Sequence, residues 1–153
     1  MTAALDWISN FLYAAILAGV PLLFGTLGEI LTEKAGNINL GVEGMMYMGA
    51  VFGFMGAYYL DSAIATLLFA FLGGLGGALV YAFLTVTLKT NQNVAGLTLT
   101  IFGTGLANLL GTNMINGSGS GAAMVSDAMK AFFRPMDMGA LTAIPYLGKL
   151  LFN

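Results

Sequence analysis

Long uncharged stretches, separated by single charges or short polar clusters, make up most of the chain. Residues 7–28 contain no charged side chain. A helix of that length is roughly 33 Å long, close to the hydrocarbon thickness of a bilayer, about 30 Å. Further stretches of this kind follow along the chain. We therefore predict about four transmembrane helices, at residues 10–31, 44–60, 62–88 and 94–112.

The composition supports this interpretation. Of the 153 residues, 58% are hydrophobic and 8% are charged, whereas a soluble domain carries roughly 25% charged residues. Most of the surface should face lipid, because this number of charges is too small to solvate the surface of a water-soluble protein of this size. The expected fold class is an all-α membrane protein, a single polytopic transmembrane domain over residues 1–153 in the cell membrane (inner or plasma).

Several kinds of chemistry are disfavoured by the residues present. The chain has no cysteine or histidine and a net charge of −2, which argues against thiol or imidazole catalysis, a zinc site and nucleic-acid binding. It contains no phosphate-cradling G-x4-G-K-[ST] loop and no recognisable catalytic triad. We expect no enzyme activity, no metal site, no cofactor in this chain and no nucleic-acid partner.

The last third of the chain is less apolar. Residues 112–121 are polar and glycine-rich, and their backbone would be unsatisfied in lipid. We predict that 113–149 is an extramembrane loop or a re-entrant stretch, with a short surface helix at 127–133. The apolar character rises again at the end of the chain, as it would at the start of another transmembrane helix.

Glycines recur at four-residue spacing within the predicted helices, so each pair lies on one helix face. Small residues there let two backbones approach closely, and packing of this kind drives helix association in lipid. We assign helix packing to Gly49, Gly53, Gly73, Gly77 and Gly103. The alternative is a glycine-lined permeation path.

The segment between the first two predicted helices, residues 36–44, is rich in glycine and asparagine. Asn37 and Asn39 favour caps and turns, and Glu43 would begin helix two, where the helix dipole favours an anion. One interpretation is a capped loop at the membrane surface. The other is a broken or unwound segment within the bundle, whose polar groups line a cavity.

A second polar cluster, Asn91, Gln92 and Asn93, precedes helix four. These amides either cap that helix or project towards a substrate path. Neutral amides can bind sugars or nucleobases through hydrogen bonds without the cost of a buried charge.

These segments resemble a known family. Residues 21–29 and 33–46 are similar to the opening of the ABC-transporter permeases that serve simple sugars, nucleosides and branched-chain amino acids. The form G-x-x-N-L-G-x-E-G is most similar to the nucleoside and simple-sugar branch. Residues 91–96 and 144–153 also resemble the family, and the motifs occur in the family's order.

The resemblance implies a permease subunit that forms the translocation pathway of an ATP-binding cassette importer. Such a subunit would pair with a second permease subunit, receive solute from an extracytoplasmic substrate-binding protein and be driven by a separate ATPase subunit that binds ATP. Lys34 and Lys89 would then be cytoplasmic, and 113–149 would lie on the outer face. Permeases of this family continue through further helices, so the chain resembles an N-terminal half.

One position departs from the family pattern. Thr100 stands where the family usually has an asparagine in helix four, and the resemblance implies a substrate or a pose that differs from that of relatives with the amide. The candidate substrate-pathway residues are Asn37, Asn39, Glu43, Asn91, Gln92, Asn93 and Thr100.

The leading functional hypothesis is a permease subunit of an importer for nucleosides. A different class remains open, a small helical membrane scaffold or pore that works without ATP. Within the importer hypothesis, simple sugars or branched-chain amino acids are the alternative substrates, because no charged group marks the solute.

Overall fold

The computed structural model describes residues 2–119 and 121–134, which form helices and connecting turns without a strand. The helices are α1 (Thr2–Lys34), α2 (Val42–Leu60), α3 (Ala63–Ala82), α4 (Gln92–Gly117) and α5 (Asp127–Phe132). Helix α3 continues directly into a π-helical turn at Phe83–Thr87.

The chain divides into two compact units at Thr26. Residues 2–26 of α1 belong to the first unit. The second unit, Leu27–Phe132, contains the last turns of α1 and the helices α2 to α5. The interpretation of 1–153 as a single domain stays a prediction.

Three of the described helical stretches are long and apolar enough to cross a membrane: Ala4–Lys34, Ala63–Thr87 and Gln92–Gly117. They correspond to the first, third and fourth predicted spans. Helix α2 has 19 residues, roughly 28 Å, but it contains Glu43 and several glycines and is not among the three. That α2 also spans the membrane stays a prediction.

The predicted ends of two helices were wrong. Helix α1 runs from Thr2 to Lys34 rather than from 10 to 31, because polar residues at a membrane surface continue a helix as well as apolar ones do. Helix α4 ends at Gly117 instead of 112 for the same reason. Residues 113–117 are therefore helical and not part of a loop.

The remainder of the predicted loop is only partly described. Residues 118 and 119 and 121–126 are irregular, and the predicted short helix near 127–133 is confirmed as α5. The hydroxyl of Ser126 hydrogen-bonds Asp61 at the turn between α2 and α3, and Ser126 Oγ also accepts the N–H of Met129 at 3.2 Å. The stretch 135–149 lies outside the described residues.

Helix α2 packs along α3 in the antiparallel sense through glycines. A Cβ added at Gly53 would lie 2.9 Å from the Cβ of Ala70, and one at Gly73 would lie 2.9 Å from the carbonyl oxygen of Met48. Gly49 and Gly77 make similar approaches to the facing helix, at 3.1 Å. These glycines therefore bring the two backbones together, which is how helices associate in lipid.

Helix α2 also contacts α4, and there the two backbones touch. A Cβ at Gly103 would lie 2.7 Å from the Cα of Gly44, and one at Gly44 would lie 2.6 Å from the Cα of Thr100. Here α2 runs in the same direction as α4. On the side facing α3, the buried residues Tyr81, Ala95 and Leu99 form a small apolar core.

Candidate functional site

The irregular segment 35–41, which connects α1 to α2, lies against α4. A Cβ at Gly96 would come within 2.8 Å of Leu40 N and 2.9 Å of Gly41 N. Gly44, at the start of α2, packs against Gly103. The furthest contact of the segment along α4, between Leu40 O and the Thr100 hydroxyl, lies roughly 12 Å from Gln92 along the helix axis. An α4 centred in the bilayer extends about 4–5 Å beyond a hydrocarbon core of about 30 Å at each end, so the end of the segment lies within the core before α2 begins.

Side-chain oxygens accept three backbone N–H groups of this segment. Ile38 N donates to Gln92 Oε1 at 2.8 Å, and Asn39 N donates to Glu29 Oε1 at 2.7 Å. Within the segment, Gly41 N donates to Asn39 Oδ1 at 2.9 Å. Backbone outside regular structure at membrane depth needs such partners, because lipid offers none.

Side-chain donors satisfy the carbonyls of the same segment. The hydroxyl of Tyr81 donates to Ile38 O at 2.6 Å, and the hydroxyl of Thr100 donates to Leu40 O at 2.9 Å. In addition, Gln92 Nε2 donates to the side-chain oxygen of Asn37, Oδ1, at 2.9 Å. Three helices, α1, α3 and α4, thus each contribute a polar side chain that holds the segment. We call Glu29, Tyr81, Gln92 and Thr100 the polar clamp.

Four of the seven candidate pathway residues come together at this place. Asn37 and Asn39 belong to the segment, and Gln92 and Thr100 belong to the clamp. Asn39 is buried, with 6% of its surface exposed. The structure therefore favours the unwound segment over the capped surface loop. Contact with a substrate by these four residues stays a prediction.

The other three candidates lie elsewhere on the same helices. Asn91 is the N-cap of α4, and its Oδ1 accepts the N–H groups of Asn93 at 3.0 Å and Val94 at 3.2 Å. The side chain of Asn93 is exposed. Glu43 is also exposed, in the first turn of α2, and it forms no ion pair with another residue of the described ranges. A pathway role for these three stays a prediction.

Sequence reasoning missed the parts of this site that come from distant elements. Roles for Glu29 and Tyr81 and the close approaches of Gly44 and Gly96 were not predicted. A signal existed for Glu29 and Tyr81. Each is a hydrogen-bonding residue in an otherwise apolar stretch, and such groups in lipid need a partner.

The arrangement can hold a non-helical backbone inside a membrane while leaving a carboxylate, that of Glu43, beside it. Among residues 2–119 and 121–134, no three His, Cys, Asp or Glu side chains stand together as metal ligands do. Broken helices whose backbone is satisfied by neighbouring helices are typical of membrane transport proteins. The fold and the site therefore define a helical membrane protein of the transporter class.

Comparison with known proteins identifies the family. Over residues 10–145 the chain matches the family described as the permease component of the branched-chain amino acid transport system. The chain belongs to this family, as its motifs predicted, and is an integral membrane protein. The curated relatives that it matches are described as ABC transporter permease proteins.

Three relatives share most of this chain. A proposed glucose ABC transporter permease of Haloferax volcanii is 34% identical over 97% of the chain and 50% of its own length. A guanosine ABC transporter permease of Bacillus subtilis is 27% identical over 95% of the chain and 46% of its own length. A nucleoside ABC transporter permease of Lactococcus lactis is 28% identical over 90% and 43%.

The chain thus spans about half the length of the curated relatives it matches. No solved structure matches it.

Proposed function

We propose that this chain forms part of the solute pathway in the permease subunit of an ATP-binding cassette importer, with nucleosides as the substrates. One observation carries the proposal. The segment 35–41 is non-helical backbone that lies beside α4 at membrane depth and is held by the polar clamp. Such backbone is tolerated in a membrane where it is packed in protein or lines a water-filled cavity.

The residues beside the segment suit an uncharged solute. Apart from Glu29, whose carboxylate accepts Asn39 N, and Glu43, the polar side chains next to it are amides and hydroxyls, which bind neutral hydroxylated molecules without neutralising a charge. The guanosine and nucleoside permeases among the relatives support nucleosides. The proposed glucose permease, which has the highest sequence identity of the three relatives, supports a neutral sugar as a second candidate substrate.

In this proposal ATP is bound and hydrolysed by a separate ATPase subunit, and the chain itself holds no cofactor. Its partners are that ATPase, a second permease subunit, an extracytoplasmic substrate-binding protein and the surrounding lipid. The family assignment and the transporter names of the relatives support these partners.

Uptake measurements test the function. The full reading frame containing this chain is expressed with the ATPase and binding protein encoded beside it, in cells that lack their own uptake systems. Labelled guanosine, glucose and leucine are then compared. We expect saturable guanosine uptake that disappears when the ATPase is omitted. Uptake that survives without the ATPase would favour a pore that works without ATP, and uptake of glucose alone would select the second substrate.

A further inference from the structure

Polar or small residues occupy every fourth position of α4 from its first residue to its last turn. Residues four apart are neighbours on a helix surface, so these positions form one continuous row that turns by about 40° at each step. The row is Gln92, Gly96, Thr100, Thr104, Asn108, Thr112 and Asn116. The most apolar 18-residue stretch of α4 is also less apolar than that of Ala63–Thr87, with a mean hydropathy of 1.5 against 2.1.

The first residues of the row contact the unwound segment 35–41. Gln92 and Thr100 belong to the polar clamp, and Gly96 gives the segment 35–41 room to approach. Thr104 follows, and its hydroxyl donates to Thr100 O at 2.8 Å. The row therefore begins at the unwound segment and leaves it as it turns around α4.

The second half of the row is open. Asn108, Thr112 and Asn116 are exposed, and their side chains form no hydrogen bond with another residue of the described ranges. Asn108 lies roughly 24 Å along α4 from Gln92 and about 13 Å before its end. A 26-residue helix exceeds the hydrocarbon core by only about 9 Å in total, so a centred α4 places Asn108 within the core.

An amide at that depth requires hydrogen-bonding partners, because lipid supplies neither donors nor acceptors. The row is continuous with backbone that already lies at membrane depth among polar groups. It carries amides and hydroxyls and no charge. These are the groups that recognise uncharged molecules bearing several hydroxyls.

We propose that Thr104, Asn108, Thr112 and Asn116 line a water-filled path and hydrogen-bond an uncharged hydroxylated solute within it. This polar row continues the pathway from the unwound segment towards the far end of α4. The solute class rests on the proposed function, whereas the presence of water at the row does not.

Thiol accessibility tests the path, since the chain contains no cysteine of its own. Asn108→Cys and Thr112→Cys are made in the full reading frame, with its partners, in native membranes. A charged, water-soluble methanethiosulfonate is added, and the background is the same protein without the substitution. The controls are Ile101→Cys and Leu109→Cys, which are on α4 outside the row and have side chains 73% and 59% exposed.

We expect cysteines at 108 and 112 to react about tenfold faster than those at 101 and 109, because the reactive thiolate forms only where water reaches it. Guanosine or glucose should slow the reaction. Equal rates at 108 and at the controls would show that water reaches the row no better than the rest of α4, which would overturn the path. Oxidative cross-linking of two copies of the Asn108→Cys variant would identify an interface between copies, and it would also overturn the proposed path.

The two proposals fail separately. Accessibility needs no transport activity, so fast reaction at 108 in a protein that does not take up guanosine leaves the path standing and removes the nucleoside assignment. Fast reaction that neither solute slows would overturn the solute contact at the row.

Discussion

The side-chain oxygen of Gln92 accepts the backbone N–H of Ile38 at 2.8 Å. The first residue of α4 thereby fixes a backbone position that precedes it by 54 residues. The nitrogen of the same amide donates to Asn37 Oδ1 at 2.9 Å, so both the oxygen and the nitrogen of one amide group bond the unwound segment. This pairing gives the polar start of α4 a structural role that a simple helix cap does not have.

Replacing Gln92 should loosen the segment. Gln92→Ala removes the acceptor of Ile38 N and the donor to Asn37, and we expect a loss of about 1 kcal/mol of stability for the principal hydrogen bond. The unfolding midpoint in detergent measures this loss. Asn93→Ala, one residue further on and exposed, should leave the midpoint nearly unchanged. Equal midpoints for the two variants would contradict the role assigned to Gln92.

The hydroxyl of Tyr81 should stabilise the unwound segment in addition to the packing of its ring. Tyr81 is 5% exposed and donates to Ile38 O at 2.6 Å. Tyr81→Phe keeps the ring and deletes the donor, and we expect a loss of about 1 kcal/mol. Tyr59→Phe, at a side chain that is 63% exposed, is the matched control. A Tyr81→Phe protein as thermostable as the control would show that the carbonyl finds another donor.

The crossing of α2 and α4 requires a glycine at 103. Gly103→Ala places a methyl group 2.7 Å from Gly44 Cα, and overpacking of this kind costs about 1–3 kcal/mol. Gly105→Ala meets nothing within 4 Å and removes a residue of poor helix propensity, so it should be neutral or stabilising by up to about 1 kcal/mol. Thermal unfolding in detergent compares them, and an equal effect of the two alanines would refute the close crossing.

The link between Ser126 and Asp61 should hold α5 near the turn that follows α2. Ser126→Ala removes the hydrogen bond to Asp61 and the cap on Met129 N. We expect faster cleavage of residues 118–134 by an added protease. Lys130→Ala breaks only the exposed pair with Asp127, worth at most about 1 kcal/mol, and should cleave like the unmodified protein. Unchanged cleavage in Ser126→Ala would contradict the link.

Glu43 should affect transport rather than stability. Its side chain is exposed and pairs with no other described residue, so Glu43→Gln should leave the unfolding midpoint unchanged. If the carboxylate faces the solute pathway, guanosine uptake should fall, because a neutral amide is a weaker hydrogen-bond acceptor than a carboxylate. Glu33→Gln, near the end of α1, is the control. Equal uptake in both variants would remove Glu43 from the pathway.

Helix positions could be predicted because they depend on local properties. Uncharged stretches of membrane length located α1, α3 and α4, and the single charges and amides between them marked the turns. Helix ends were less predictable. A stretch such as 113–117 can be polar and still helical, since the constraint against polar residues ends where the hydrocarbon ends.

The candidate site was predictable in its residue types but not in its pairings. The sequence offered an unwound segment within the bundle as one of two interpretations of 36–44, and a substrate path as one of two interpretations of 91–93. It did not indicate that Gln92 reaches Ile38, or that Glu29 and Tyr81 complete the clamp. Hydrogen bonds between residues 10 to 60 positions apart depend on how helices pack, which no local pattern encodes.

Composition and charge spacing alone determined that this chain is a bundle of membrane helices, because lipid admits few charges and requires the backbone to be paired. Its motifs alone indicated the permease family. Only the tertiary structure decided that segment 35–41 enters the bundle and which side chains hold it there. The physical reason is that non-helical backbone in a membrane must find its hydrogen-bond partners on other helices, and the closeness of those helices is set by glycines such as Gly44 and Gly103.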